Sequence, residues 1–351
     1  MVQSIGLPKE IKDGERRVAL DPSAVKSCVQ AGFDVWVETN AGVGAGFANA
    51  DYEAVGAKIT PNAKATWAAD LVVKVKEPQE SEWGFFRKDL TLFAYLHLAA
   101  EPTLAKALVD SGIDAFAYET LEEKGGLPLL APMSEVAGRT AAIVGAHYLA
   151  SGSGVLLGGS AGVPPARVVV IGMGVAGTMA ARGARGMDAE VTGVDIDLHR
   201  LYMAQQEGTV TATLASSEHA ISEAVREADL VVGAALVTGA KAPKLVLRDH
   251  IASMRPGSVV VDLAIDQGGC IETSRPTSHS EPIYEELGVI HYCVTNVPGQ
   301  YPKTASRALS AAVAPKLVRL ARDPQDPVLA GSLNVSKGEI VHPVVAKALG
   351  L

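Results

Sequence analysis

Residues 167–177 constrain this chain more than any other stretch. Arg167-Val168-Val169-Val170-Ile171 is an unbroken β-branched run, as a strand buried on both faces requires. It leads directly into Gly172-Met173-Gly174-Val175-Ala176-Gly177, and Thr178 to Gly186 then reads as a helix. A Gly-x-Gly-x-x-Gly between a buried strand and a helix is the phosphate-binding turn of a βαβ unit. Gly172 makes the tight turn. Gly174 lets a pyrophosphate approach the backbone at the positive end of the helix, and Gly177 permits close helix–strand packing. Val175 and Ala176, inside the same turn, are counted with them as cofactor-binding. A second strand, Glu190 to Val194, ends in Asp195, 18 residues beyond Gly177. An acid at that place binds the adenosine ribose hydroxyls and repels a 2′-phosphate, so NAD is expected rather than NADP.

The same grammar extends along the chain. Ser4 to Leu7, Asp34 to Glu38, Leu71 to Val75, Leu90 to Leu96 and Ile113 to Tyr118 read as strands of a first series. Asp21-Pro22 opens a helix, with Asp as N-cap and Pro at the first helical position, and Gly32 closes it. A long small-residue helix starts near Ser134 and reaches about Ala150, followed by Gly-rich loops. The second series adds Leu230 to Gly233, Ser258 to Asp262 and Val289 to Val294, and the chain after Pro302 reads as helix. Strands alternating with helices imply parallel sheets, and 351 residues suffice for about two domains.

Charge and composition narrow the function. With 31 Lys and Arg against 39 Asp and Glu the net charge is −8, which lacks the basic surface of a nucleic-acid binder. No run of about 18 apolar residues offers a membrane span, and the start has no signal-peptide pattern. Positive mean hydropathy without such a run points to extensive burial, subunit contacts included. Cys28, Cys270 and Cys293 stand far apart without metal-like spacing, as idle buried thiols of a reducing cytoplasm do. No metal site is expected, because the histidines lack ligand spacing as well.

Ligands of open α/β sheets lie beyond the carboxyl ends of the strands. Three ionisable residues of the first series fall there. Arg17 is in the loop after the first strand, Lys76 follows Leu71 to Val75, and His97 ends the run Leu92 to Leu96. Two cations suit an anionic substrate, and a His suits proton transfer. Lys74, one strand step earlier, is expected to be solvated by snorkelling. In the second series Val259 to Asp262 leads through Leu263-Ala264-Ile265 to Asp266 and a Gln267-Gly268-Gly269 turn, where a carboxylate would face the nicotinamide end of a bound NAD.

These residues lie in longer segments that resemble the alanine dehydrogenase family, which shares its fold with the NAD-binding subunit of proton-translocating transhydrogenase. The segments are Pro8-Lys9-Glu10 with Glu15-Arg16-Arg17-Val18-Ala19, Val73 to Pro78, Leu96 to Ala100, Leu130 to Arg139, Gly239 to Val246 and Asp262 to Gly269. The resemblance spans nearly the whole chain. It implies two Rossmann-like domains, with an NAD-binding domain, 131–304, inserted in a discontinuous substrate domain, 1–130 and 305–351. It implies that Arg17 and Lys76 bind substrate and that His97 and Asp266 handle protons, without separating which is the principal acid/base. It adds Ser134, Leu236, Val237 and Asn296 as cofactor contacts. The implied reaction is reversible NAD-dependent deamination of L-alanine to pyruvate and ammonia, in a soluble homo-oligomer of hexameric type. Val297 stands where many members have Met, Thr238 where they often have Pro, and Tyr301 lies in a less usual segment. Another small L-amino acid, or a transhydrogenase-type NAD(H)-binding subunit, is therefore the alternative, with a catalytically silent NAD sensor as a third.

Overall fold

The structure, a computed structural model, describes residues 2–235 and 242–351. It divides into two compact units, Met1–Met133 with Tyr301–Leu351, and Ser134–Gln300. Strands of the first unit are β1 (Ser4–Leu7), β2 (Asp34–Glu38), β3 (Lys58–Thr60), β4 (Leu71–Val73), β5 (Thr91–Ala94) and β6 (Asp114–Ala117). The second unit holds β7 (Arg167–Ile171), β8 (Glu190–Asp195), β9 (Ala212–Ala215), β10 (Leu230–Gly233), β11 (Val259–Asp262), β12 (Ile283–Glu286) and β13 (Val289–Tyr292). The returning chain adds β14 (Leu333–Ser336) and β15 (Glu339–Ile340) to the first unit.

In the first sheet the order is β15-β14-β6-β5-β4-β1-β2-β3, and in the second β12-β13-β11-β10-β7-β8-β9. Pairing is parallel except at one edge of each sheet, where β12 runs against β13, and β14 against both β6 and β15. Alternation along β7 shows why both faces need helices. Val168 and Val170 join Ala141, Leu149, Ala180 and Ala184 in one core, while Val169 and Ile171 join Ile221, Val225 and Ile251 in another. Both units are Rossmann-like.

The C-terminal stretch corrects the sequence reading, which made it helical throughout. A helix does span Pro302–Arg322, and its Leu309, Val313, Leu317 and Leu320 pack into one core with Ile5, Leu7, Val35 and Val37. Beyond it comes the β14–β15 hairpin instead of more helix. Its turn residues Lys337 and Gly338 both have positive φ, 51° and 81°, the conformation of a tight two-residue hairpin. Lys-Gly is a weaker turn signal than Asn-Gly, so the hairpin was easy to miss.

Strands β4 and β5 are also shorter than expected. Their ladder frays rather than stops, because the Lys74 N–H donates to the Phe93 carbonyl at 3.1 Å and the Tyr95 N–H to the Val75 carbonyl at 3.1 Å. The residues just past these ends, Lys76 and His97, are thereby carried off the sheet while their anchors stay on it.

Candidate active site

The three glycines of the second unit do different work. Gly172, at φ 94°, ends β7 against the backbone of Ala234 and Ala235, leaving no room for a side chain. Gly177 presses on the first: a Cβ there would lie 1.8 Å from the Gly172 carbonyl oxygen. Gly174, the N-cap of helix Val175–Arg185, is open, since a Cβ placed on it would meet nothing nearer than Arg200 Nη1 at 3.9 Å. Tight packing behind and open space in front fit a dinucleotide phosphate seated on the helix N-terminus, where Val175 and Ala176 begin the helix. Asp195 closes the same loop. Its carboxylate accepts the Met173 N–H at 2.6 Å and the Asp197 N–H at 2.8 Å. Each oxygen keeps a second lone-pair site for a ribose hydroxyl. The following helix, Leu198–Gln206, is capped by Asp197, so Asp195 is not spent on that task.

Asp262, at the end of β11, is 1% exposed and organises the loop that carries Asp266. It accepts backbone N–H groups from Ala264 at 3.0 Å, Cys270 at 3.3 Å and Ile271 at 3.0 Å. The structure brings Asp266 and Asn296 together, the Asn296 N–H donating to Asp266 Oδ2 at 3.4 Å. Asn296 has φ 57°, a strained setting of the kind that gathers at functional sites. Val297 beside it is buried, and Tyr301 is partly exposed. Ser134 is half-buried near the start of helix Ala131–Ser151. Leu236, Val237 and Thr238 lie outside the described residues.

In the first unit Arg17 is 3% exposed and gripped by Glu15. Its Nε donates to Glu15 Oε1 at 2.8 Å, its Nη2 to Oε2 at 2.6 Å, and its Nη1 points at Met133 Sδ, 3.1 Å away. Burial works against the cation, but the Glu15 hydrogen bonds and charge more than offset it, so the guanidinium stays protonated. Tyr95 links this group to His97. Its hydroxyl donates to the Leu129 carbonyl at 2.6 Å, and its ring stacks on the imidazole at 5.8 Å, 7° from parallel. Burial pushes the Tyr95 hydroxyl up, and the Arg17 charge pulls the other way. Lys76 is half-buried. Burial would raise the neighbouring Glu77, but its Lys12 partner and the Lys76 charge hold it low.

Lys74 overturns its expected exposure. It is 1% exposed, 2.9 Å from Glu82 Oε1 and 3.2 Å from Glu10 Oε2. Snorkelling needs water within reach of the stem, and the run Leu71–Val75 is buried on both sides. Burial alone would lower its pKa, but the two carboxylates raise it. Glu10 also accepts the Val75 N–H at 2.6 Å, so the triad fixes the strand end that leads to Lys76. Sequence reasoning missed Glu15, Tyr95 and this triad as parts of the site. Glu15, two residues before Arg17, was the legible one.

The thiols are as idle as expected: all three are buried, and burial pushes Cys28 up to about 11. Among the described residues no cluster of His, Cys, Asp and Glu could hold a metal ion, and no helix is long and apolar enough to cross a membrane.

Two family models cover this arrangement. "Alanine dehydrogenase/PNT, N-terminal domain" matches residues 6–137, and "Alanine dehydrogenase/PNT, C-terminal domain" matches 141–343. The chain belongs to the alanine dehydrogenase/PNT family. Within that family it is 51% identical to alanine dehydrogenase of Halomonas elongata, over 99% of this chain and 97% of that one. Its fold matches a solved L-alanine dehydrogenase with a TM-score of 0.94 at 48% identity, covering 99% of both chains. A transhydrogenase from Sinorhizobium meliloti matches with a TM-score of 0.84 at 28% identity, over 97% of this chain and 99% of that one.

Proposed function

We propose that the chain catalyses the reversible, NAD-dependent oxidative deamination of L-alanine to pyruvate and ammonia. Besides the high identity to alanine dehydrogenases, one observation carries this reading. The buried Arg17 is kept charged by Glu15 and acts electrostatically on the Tyr95 hydroxyl, and the Tyr95 ring stacks on the His97 imidazole, so one tyrosine lies between an anion-holding group and a proton-handling group. A protein that only binds NAD needs neither.

Arg17 pairs with the substrate carboxylate, and Lys76 adds a second charge that polarises the substrate carbonyl in the reverse direction. Holding the anion in one pose supplies orientation, and the fixed cations supply electrostatic stabilisation. NAD held on the second unit would supply a hydride acceptor for the α-carbon, so that the amino acid is oxidised to the imino acid. His97 takes a proton from the amine or from the water that adds to the imine, and returns one as ammonia leaves. Asp266, steadied by the Asn296 N–H, orients that water or shares the proton transfer. NAD would be the cofactor, because Asp195 would repel a 2′-phosphate; Ser134 and Asn296 would help to hold it, and Leu236 and Val237 are added by the family resemblance alone. In this reading residues 1–130 and 305–351 form the substrate domain and 131–304 the NAD-binding domain. The enzyme is cytoplasmic and hexameric.

A transhydrogenase-type subunit is the second reading, favoured only by the Sinorhizobium meliloti likeness. It passes hydride to a partner and has no need of an amino-acid pocket. Purified protein offered NAD with a panel of L-amino acids, and NADH with pyruvate and ammonia, separates the readings. Turnover should be highest with L-alanine. Turnover with a different small amino acid would keep the enzyme class and reassign the substrate. NAD binding without any turnover would sink the dehydrogenase reading.

A further inference from the structure

His97 has φ 49°, a left-handed conformation that an L-residue keeps only where its surroundings impose it. The Ala100 N–H donates to the His97 carbonyl at 2.8 Å, and a carboxylate grips the amide side of the same turn. Glu119, just past β6, accepts the His97 N–H at 2.7 Å through Oε1 and the Leu96 N–H at 3.3 Å through each oxygen. Glu119 Oε1 also lies 4.0 Å from His97 Nδ1. The turn bearing Glu119 is itself anchored by the returning chain. β14 pairs with β6, and the Asn334 side-chain amide donates to Thr120 Oγ1 at 2.9 Å. His342, from the segment after β15, feels the Glu119 charge, as does Tyr95.

We propose that Glu119 is a positioning residue for the reaction: it clamps the Leu96 and His97 amides and so holds His97 in its left-handed backbone conformation. It acts by the reach of its oxygens to two N–H groups. A Gln at 119 retains an oxygen at the same reach without the charge, whereas an Asp keeps the charge and withdraws the reach by one methylene. The kinetic part of this proposal rests on the dehydrogenase reading, and the exchange part does not.

The test compares Glu119→Gln, Glu119→Asp and Glu119→Ala in the full chain, by steady-state kinetics and by hydrogen exchange at the His97 amide. Glu119→Asp and Glu119→Ala should lose about tenfold or more in kcat, with KM for L-alanine within about threefold, because a misplaced proton-transfer group costs turnover more than binding. Exchange at the His97 amide should quicken about tenfold in the same two variants, as a lost local restraint predicts. Glu119→Gln should stay within about threefold of the natural protein in both readouts. If Glu119→Ala does not fold, the Asp and Gln pair still decides. Natural kcat and exchange in Glu119→Asp would overturn the proposal, and so would equal losses in Gln and Asp. If the natural protein does not turn over alanine, the dehydrogenase reading fails by itself, and the exchange comparison still judges the clamp.

Discussion

Replacing Gly174 or Gly177 by Ala tests whether the loop after β7 is a nucleotide cradle or merely a tight turn. Both substitutions add one methyl group, but the surroundings differ. At Gly177 the new Cβ would sit 1.8 Å from a backbone oxygen, whereas ordinary contacts begin near 3.4 Å, so the helix must retreat by roughly 1.6 Å. Ala gains about 1 kcal/mol over Gly in a helix. Overpacking against immovable backbone costs about 1–3 kcal/mol or more, so the clash wins. A net loss of up to about 2 kcal/mol would lower Tm by up to about 8 °C in a unit of this size. At Gly174 φ is −70°, ψ is −167° and the added methyl meets nothing nearer than 3.9 Å, so the apo protein should keep its stability or gain about 0.4–1 kcal/mol. The space it fills is where a pyrophosphate would approach in the proposed nucleotide site. Losing one hydrogen bond to that charged group, worth about 1.5–3 kcal/mol, should weaken NAD about 10- to 100-fold. Calorimetric melting of apo protein and titration with NAD read the two effects separately. Unchanged NAD affinity in Gly174→Ala, with its Tm preserved, would refute the cradle.

Lys74→Met should cost about 3–5 kcal/mol in urea unfolding, because Glu10 and Glu82 remain buried without their cation; a loss under 1 kcal/mol would mean that water replaces the ammonium. Asp195→Ala should raise the Kd for NAD about tenfold or more through the lost ribose contact, and equal affinity would reduce Asp195 to a support for the Met173 and Asp197 amides. His291 is 0% exposed, and burial holds its pKa below the ordinary value despite its Val289 carbonyl partner. The unfolded chain therefore binds this proton more readily, so its contribution is complete above about pH 6.5 and fades as pH falls toward the lower folded value. Urea unfolding at pH 7.5 and 5.5 should show a smaller drop in His291→Gln than in the natural protein; equal drops would assign the acid sensitivity elsewhere.

The candidate nucleotide loop was the more legible from sequence, because its chemistry is backbone chemistry. Glycine spacing, a buried strand and an acid at the next strand's end occupy short contiguous stretches. The substrate half depends on side chains far apart in the chain. Arg17 and His97 could be singled out from their places at strand ends, but Tyr95 and Glu119 act on them across the sheet, and no periodicity records that. Lys74 was misjudged because whether a Lys reaches water depends on what covers the strand. Here Glu82 comes from a turn eight residues on and Glu10 from 64 residues back. The β14–β15 hairpin escaped notice because four-residue and two-residue strands carry little pattern.

The return of residues 301–351 to the first unit sets an order of events during synthesis. The second unit is one continuous segment, Ser134–Gln300, and is complete when its last residue emerges. The first unit is not. Until the final fifty-one residues appear, β1 and β2 lack the leucines of Pro302–Arg322, and β6 shows an open edge where β14 will lie. Domains made as one stretch fold as they emerge, at about 5–20 residues per second. The N-terminal part must therefore wait, with apolar surface and an unpaired strand uncovered, for the translation of everything between. A chain that stalls or is cut short near its end would leave that edge available for pairing with another copy.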